Sequence, residues 1–314
     1  MPPLSASEPS GGVATAVRGL GRRNSWELVE RQPLRFPTFH PQGLALVEGR
    51  VFVSSVEITE EPRAALNPAD RSTGAGIGHL FVIDEGRLIR DVRLGEGSMY
   101  HPGGIDFDGE NLWVSVAEYR AHSRSVVVSL DPSTLAIRER FRVTDHVGWV
   151  VRDAERDVIY GGTWGSRRLY TWTPDGLEVD SWENPSAFVD YQDCQYVSLG
   201  VVLCSGIAVM PLPSGELSEL GGIALVDILN RRIIHELPVA QFSDAGHVVT
   251  RNPFAVTLGD DGLRVHVAPD DGAPDGTQLL SYTVRALGTR SLSASSGRDA
   301  PRPAARWRRS SMPD

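Results

Sequence analysis

Five polar residues stand at the head of short, similar stretches of this chain: His40, His101, His146, Asp193 and Asn252. Imidazoles and a carboxylate that a fold gathers in one place can do two kinds of chemistry. They can ligate a borderline divalent cation such as zinc, manganese or iron, or they can exchange protons near neutral pH. Calcium suits such a set less well because it prefers an all-oxygen shell. The expected metal ligands are His40, His101, His146 and Asp193, with Asn252 or water completing the shell. The expected acid–base groups are His101, His146, His247 and Glu118, and Arg251 and Arg120 are the cations expected to hold an anionic substrate. Asn252, Tyr191 and Trp149 complete the expected substrate contacts. A structural reading competes with this one: each polar group hydrogen-bonds nearby backbone or channel water, and the HPxG segment only shapes a turn.

These residues are far apart in sequence, so the elements that follow them must bring them together. HPQGLALVEGRVFVSSVE begins at His40 and HPGGIDFDGENLWVSVAEYR at His101. Each has a short apolar strand, a tight turn containing Gly, and a second strand of alternating apolar and small residues, which is the pattern of a β-hairpin. Weaker copies begin at His146, Asp193 and Asn252. Two more strand-like segments follow every hairpin but the last, and four strands per unit is the signature of a propeller blade. The last unit has room for only three strands, while SWELVERQPLRFPTF, residues 25–39, supplies an extended segment ahead of the first hairpin. The pattern therefore predicts an all-β chain, a single five-bladed β-propeller over residues 25–284 closed by its N-terminal strand, with six blades as the alternative. Closure of this kind removes an open sheet edge. The polar segment from Ile58 to Gly78 reads as a loop inside the first unit.

In a propeller the first strand of each blade lines the central channel, so the five head residues converge at its mouth. The turn between second and third strands opens on the same face, adding Glu57, Tyr119, Trp164 and Arg167 to the rim beside Glu118 and Arg120. His79, His122, His235 and His266 fall away from this mouth and read as packed or solvated.

Composition narrows the chemistry. The 314 residues contain no Lys, so all 31 basic residues are Arg. Schiff-base chemistry, a pyridoxal phosphate anchor and a Walker-type phosphate loop are thereby excluded, and no nucleotide cofactor is expected. The formal charge of −9 is unevenly placed, with +2 on residues 1–24, +5 on residues 285–314 and −16 between them. An acidic body is a poor partner for nucleic acid. Residues 1–24 and the Arg-rich 285–314 read as disordered tails. No stretch is long and apolar enough for a membrane span, and no signal peptide is evident, which points to a cytoplasmic protein without a membrane partner. Cys194 and Cys204 flank the Leu199-Gly200 turn. A cross-strand bridge between them is conceivable; two buried free thiols are expected in a reducing compartment.

HPQGLAL, HPGGIDFDGENLWVS, DYQDCQYVSLGVVLCSG and TRNPF together resemble an uncharacterised family of single-propeller proteins from actinobacteria and fungi, over roughly residues 30–284. HPxGI followed by a DGxLWV-type hairpin is more distantly similar to gluconolactonase, strictosidine synthase and NHL propellers. The resemblance to the lactonases implies calcium held by Glu, Asn and Asp; here His40, His101 and His146 take most of those places, so neither calcium nor lactonase activity carries over.

Three functions compete. The first is a small-molecule enzyme, of hydrolase or lyase type, using the His-rich mouth and possessing a site for a divalent metal. The second is a propeller that binds a ligand or serves as a scaffold without chemistry. The third is a five-bladed glycoside hydrolase using Asp193 with Glu57 or Glu118, which needs two carboxylates about 5 to 10 Å apart across one sugar.

Overall fold

The computed structural model describes residues 11–64 and 71–286. Its strands come in antiparallel runs of four. The first is β2 (His40–Val47), β3 (Arg50–Glu60), β4 (Ala75–Asp84) and β5 (Arg87–Leu94). Next come β6 (Met99–Phe107), β7 (Leu112–Glu118), β8 (Ser125–Leu130) and β9 (Ile137–Val143), then β10 (Val147–Asp153), β11 (Val158–Thr163), β12 (Arg168–Trp172) and β13 (Glu178–Glu183). A further sheet holds β14 (Asp190–Ser198), β15 (Val201–Pro211), β16 (Leu217–Asp227) and β17 (Arg232–Val239). The last combines β18 (Phe254–Gly259), β19 (Gly262–Val267) and β20 (Gln278–Ala286) with the N-terminal β1 (Asn24–Pro33), which pairs antiparallel with β20. Hydrogen bonding joins the second and third runs into one eight-stranded sheet through a single parallel bridge, Trp149 to Gly104. The architecture is all-β and propeller-like.

Burial follows strand order. β6 is buried along nearly its whole length and β7 throughout, whereas β5 (RLIRDVRL) and β9 (IRERFRV) turn Arg and Glu outward. Successive runs are held by apolar cores lying between their faces. Phe52 and Leu80 meet Ile105 and Val114, and Trp113 and Val127 meet Val150 and Trp172. Tyr160 and Trp182 meet Val202 and Val226, and Leu203 and Leu225 meet Phe254 and Val265. The first run returns to the last through Leu44, Val53 and Phe81 against Ala255 and Leu279, so the runs close into a ring.

Three expectations need correction. Residues 11–24 are not a free tail: Gly11–Gly19 form helix α1, and Val17 and Leu20 are buried in the core between the last two runs. The helix is amphipathic, with Val13, Ala16, Val17 and Leu20 at helical spacing. His235 donates from Nε2 to the Leu20 carbonyl (3.0 Å) just beyond its end. The segment Ile58–Gly78 is not all loop, because β3 and β4 continue pairing out to Glu60 and Ala75. Cys194 and Cys204 are not free thiols. They are direct register partners on β14 and β15, and opposition across an antiparallel pair brings the sulfurs together as a disulfide. Residues 1–10 and 287–314 of the expected tails lie outside the described residues. Among the described residues no helix is long and apolar enough to cross a membrane.

Candidate functional site

The inner strands approach so closely that backbone meets backbone. A Cβ on Gly104 would collide with Asp193, and one on Gly43 with the Ile105 amide. The Gly of HPxG is therefore a packing requirement where neighbouring runs converge. Through the centre of this convergence reaches Asp193, fully buried on β14. Its Oδ2 accepts from the amides of Leu44 (2.9 Å) and Phe254 (3.0 Å), and its Oδ1 from Ile105 (3.0 Å). One carboxyl thus ties its own sheet to three others. Two residues on, Gln195 acts likewise, accepting from the Val256 amide (2.7 Å) and donating to its carbonyl (3.0 Å). Burial drives the Asp193 carboxyl well above the usual range against these amides, with buried Asp106 adding to the rise. Asp106 is itself pushed up to about 8 by burial.

Both Asp193 oxygens therefore serve the backbone and neither is presented at the mouth. The expected four-ligand shell with His40, His101 and His146 is not assembled. His40 donates from Nδ1 to Asp271 (2.6 Å). Among the described residues no group of three or more His, Cys, Asp or Glu stands where it could hold a metal ion.

Above the closed centre lies a cavity of about 160 Å³. His101 and His146 form its base, β6 and β10 bringing their rings to 6.1 Å centroid to centroid. His101 stacks on Tyr119 (4.3 Å, 16°), and Trp164, in a short 3₁₀ turn after β11, meets His146 edge-on at 4.8 Å. His146 donates from Nδ1 to the Glu118 carbonyl (2.9 Å), which leaves the lone pair of the neutral ring on Nε2. Burial lowers His146 to about 4 and holds His101 well below its usual range, with His146 and His40 adding to the effect on His101. Both rings are neutral at physiological pH. His101 lines the cavity, and its buried Nε2 has no hydrogen-bond partner.

The other expected site residues are placed elsewhere or occupied. Glu118 is buried, and its carboxylate accepts from Ser98 (2.7 Å), Arg124 (2.8 Å) and Arg120 (2.9 Å); burial alone would raise it, yet these partners hold it below the ordinary value. This consumes both the proposed base Glu118 and the proposed anion holder Arg120. Arg251 donates to the Pro269 carbonyl (3.1 Å) and Asp271 (3.3 Å), and His247 pairs with Glu219 (2.8 Å), both outside the cavity lining. Trp149 is core, donating from Nε1 to Ser166 Oγ (2.9 Å) rather than walling a ligand. Asn252 is buried with an unpartnered amide nitrogen but does not line the cavity. The carboxylate pair of a glycoside hydrolase is also missing from the lining: Asp193 and Glu118 are committed, and Glu57 faces His79 (3.6 Å). The motif reading passed over Gln42, Asp190 and Gln192, although each lies within three residues of a head position.

A family profile matches residues 5–284, and its description is a family of unknown function, DUF6454. The chain belongs to this family. No curated protein matches it. Among solved structures it is similar to a luciferin-regenerating enzyme at 10% identity, covering 85% of this chain and 96% of that one with a TM-score of 0.47. A mannose phosphorylase from Leishmania mexicana, in complex with phosphate ion, is also 10% identical, with 87% and 92% covered and a TM-score of 0.49. A DUF4221 member from Bacteroides vulgatus is 11% identical, with 85% and 99% covered and a TM-score of 0.39. Membership of the family brings no reaction with it, and no activity passes from these structures to this chain.

Proposed function

We propose that the eight-stranded sheet counts as two blades, making a five-bladed propeller, and that its mouth cavity is the site of a small-molecule enzyme of hydrolase or lyase type. The observation that carries the site is His101, a residue of the cavity lining whose Nε2 is buried and unpartnered, since such an atom ordinarily finds a partner. A bound compound would supply one. His146, fixed by the Glu118 carbonyl, would then exchange a proton through Nε2 with a substrate resting in the cavity.

The test is turnover of a mixed small-metabolite library by wild type and by His146→Phe, with divalent metal content measured on both proteins. Consumption of a library member by wild type alone supports the reading, and retained turnover in the variant overturns it. A metal found on wild type would extend the reading to ligation by His40, His101 and His146. A second reading, ligand binding without chemistry, is favoured by one observation: an imidazole held at about 4 is a weak base at neutral pH. Binding without product in either protein would establish that reading instead.

A further inference from the structure

The mouth cavity also carries information about what it holds. Among the described residues its lining contains no Arg, and the chain has no Lys to contribute. Its one carboxylate, Asp190, is already paired with Arg167 at 3.1 Å. Arg71 lies over the ring of Tyr119, 4.7 Å from its centroid, and is itself outside the lining. An anion entering here would lose hydration without meeting a cation, and a cation would compete with Arg167 for Asp190. The charge balance therefore favours an uncharged guest.

The polar groups that remain mix donors and acceptors. Gln42 and Gln192 each give one amide N–H to a carbonyl, of Pro41 (3.2 Å) and Asp190 (3.3 Å), and keep a second N–H and the side-chain oxygen for a guest. Nε2 of His146 is an acceptor in the tautomer fixed by Glu118. Donors and acceptors side by side suit a guest with several hydroxyls, each of which can both give and accept a hydrogen bond. Trp164, part-exposed in the lining, adds aromatic surface whose negative π-face suits the C–H face of a saturated ring. Size sets the last limit. About 160 Å³ is roughly five water volumes at about 30 Å³ each and well below the roughly 300 Å³ at which drug-sized pockets begin.

We infer that the cavity binds an uncharged, hydroxyl-rich ring compound of single-monosaccharide size, held by His101, His146, Gln42 and Gln192 against Trp164. This assignment rests on the mouth cavity being the functional site, and concerns the class of its ligand.

The experiment follows the imidazole ¹⁵N signals of His101 in full-length protein during titration with neutral probes, D-glucose, D-mannose, D-galactose and myo-inositol. The charged probes are D-glucuronate, D-glucose 6-phosphate and D-glucosamine, and a library of neutral fragments without hydroxyls is run in parallel. The expected result is a saturable shift with at least one neutral polyol, at least tenfold weaker binding of every charged probe, and loss of polyol binding in both His101→Phe and Trp164→Ala. Trp164 is part-exposed, so the second variant keeps the test informative if the first is unstable. Tighter binding of a charged probe, or a His101 shift with hydroxyl-free fragments alone, overturns the ligand class and leaves the site in place. Absence of any His101 shift across all probes overturns both.

Discussion

Asp193 and His101 sit on contacting inner strands, β14 and β6, and both are buried, yet their surroundings are opposite. At Asp193 both oxygens are taken by amides from three other sheets. At His101, which lines the cavity, a buried ring nitrogen has no partner. The first arrangement is what a fold requires of a buried polar group, and the second is what a fold alone would avoid. Two head positions of the same repeat have thus gone separate ways, one into architecture and one into the site. Position within a repeat places a side chain in space; its bonding decides what it does.

The largest effects should come from the architectural side. Asp193→Ala strands three buried amides at about 1 to 3 kcal/mol each, so the expected loss is on the order of 4 kcal/mol or outright failure to fold. His101→Phe keeps the stack on Tyr119 and should change stability by less than about 1.5 kcal/mol. Denaturant unfolding of the two variants checks this ordering, and a reversal would break the comparison.

Truncation gives the next largest effect. Deletion of residues 1–37 removes β1, exposes the edge of β20 and should give aggregated protein. Deletion of residues 1–22 strips Val17 and Leu20 from the core and should cost about 3 kcal/mol at roughly 1.5 kcal/mol or more per buried side chain. Solubility and unfolding midpoints of the two truncations check it. Reduction of the Cys194–Cys204 bridge, which closes a short loop, should lower stability by about 2 to 3 kcal/mol in the same assay.

The two regions should also respond oppositely to pH. His146 is lowered from 6.5 to about 4, so its protonation is favoured in the unfolded chain; that stability is complete above pH 6.5 and lost as pH falls towards 4. Asp106 is raised from 3.8 to about 8, so its contribution is complete below pH 3.8 and lost as pH rises through 8. His146→Phe should flatten the acid limb of the stability profile and Asp106→Asn the alkaline limb, each by more than about 1.4 kcal/mol, the equivalent of one pH unit. Unfolding series from pH 4 to 9 resolve the two limbs.

Much of this arrangement was legible in the sequence. The hairpins headed by His40 and His101, the strand-rich units and the pairing of the N-terminal strand with the last run follow from alternation and turn residues. So does the gathering of His40, His101 and His146 around one cavity. The fate of Asp193 was not legible, because its partners Leu44, Ile105 and Phe254 lie 149, 88 and 61 residues away. Glu118 and Arg120 were both expected on the rim and assigned to a substrate, whereas in the structure each satisfies the other, a pairing that the sequence did not show. The helix at Gly11–Gly19 was hidden by its own composition. Gly and Ala dominate it, and the spacing of Val13, Val17 and Leu20 becomes meaningful only with Leu237 and Val256 in place to receive it.

The central claim is that the unpartnered nitrogen of His101 exists for a ligand. The most direct test is the affinity of His101→Phe, against wild type, for whichever neutral probe shifts the His101 imidazole signal, measured on protein whose unfolding midpoint is unchanged. The account predicts at least tenfold weaker binding in the variant. Equal affinity in a variant that has lost the nitrogen would contradict it.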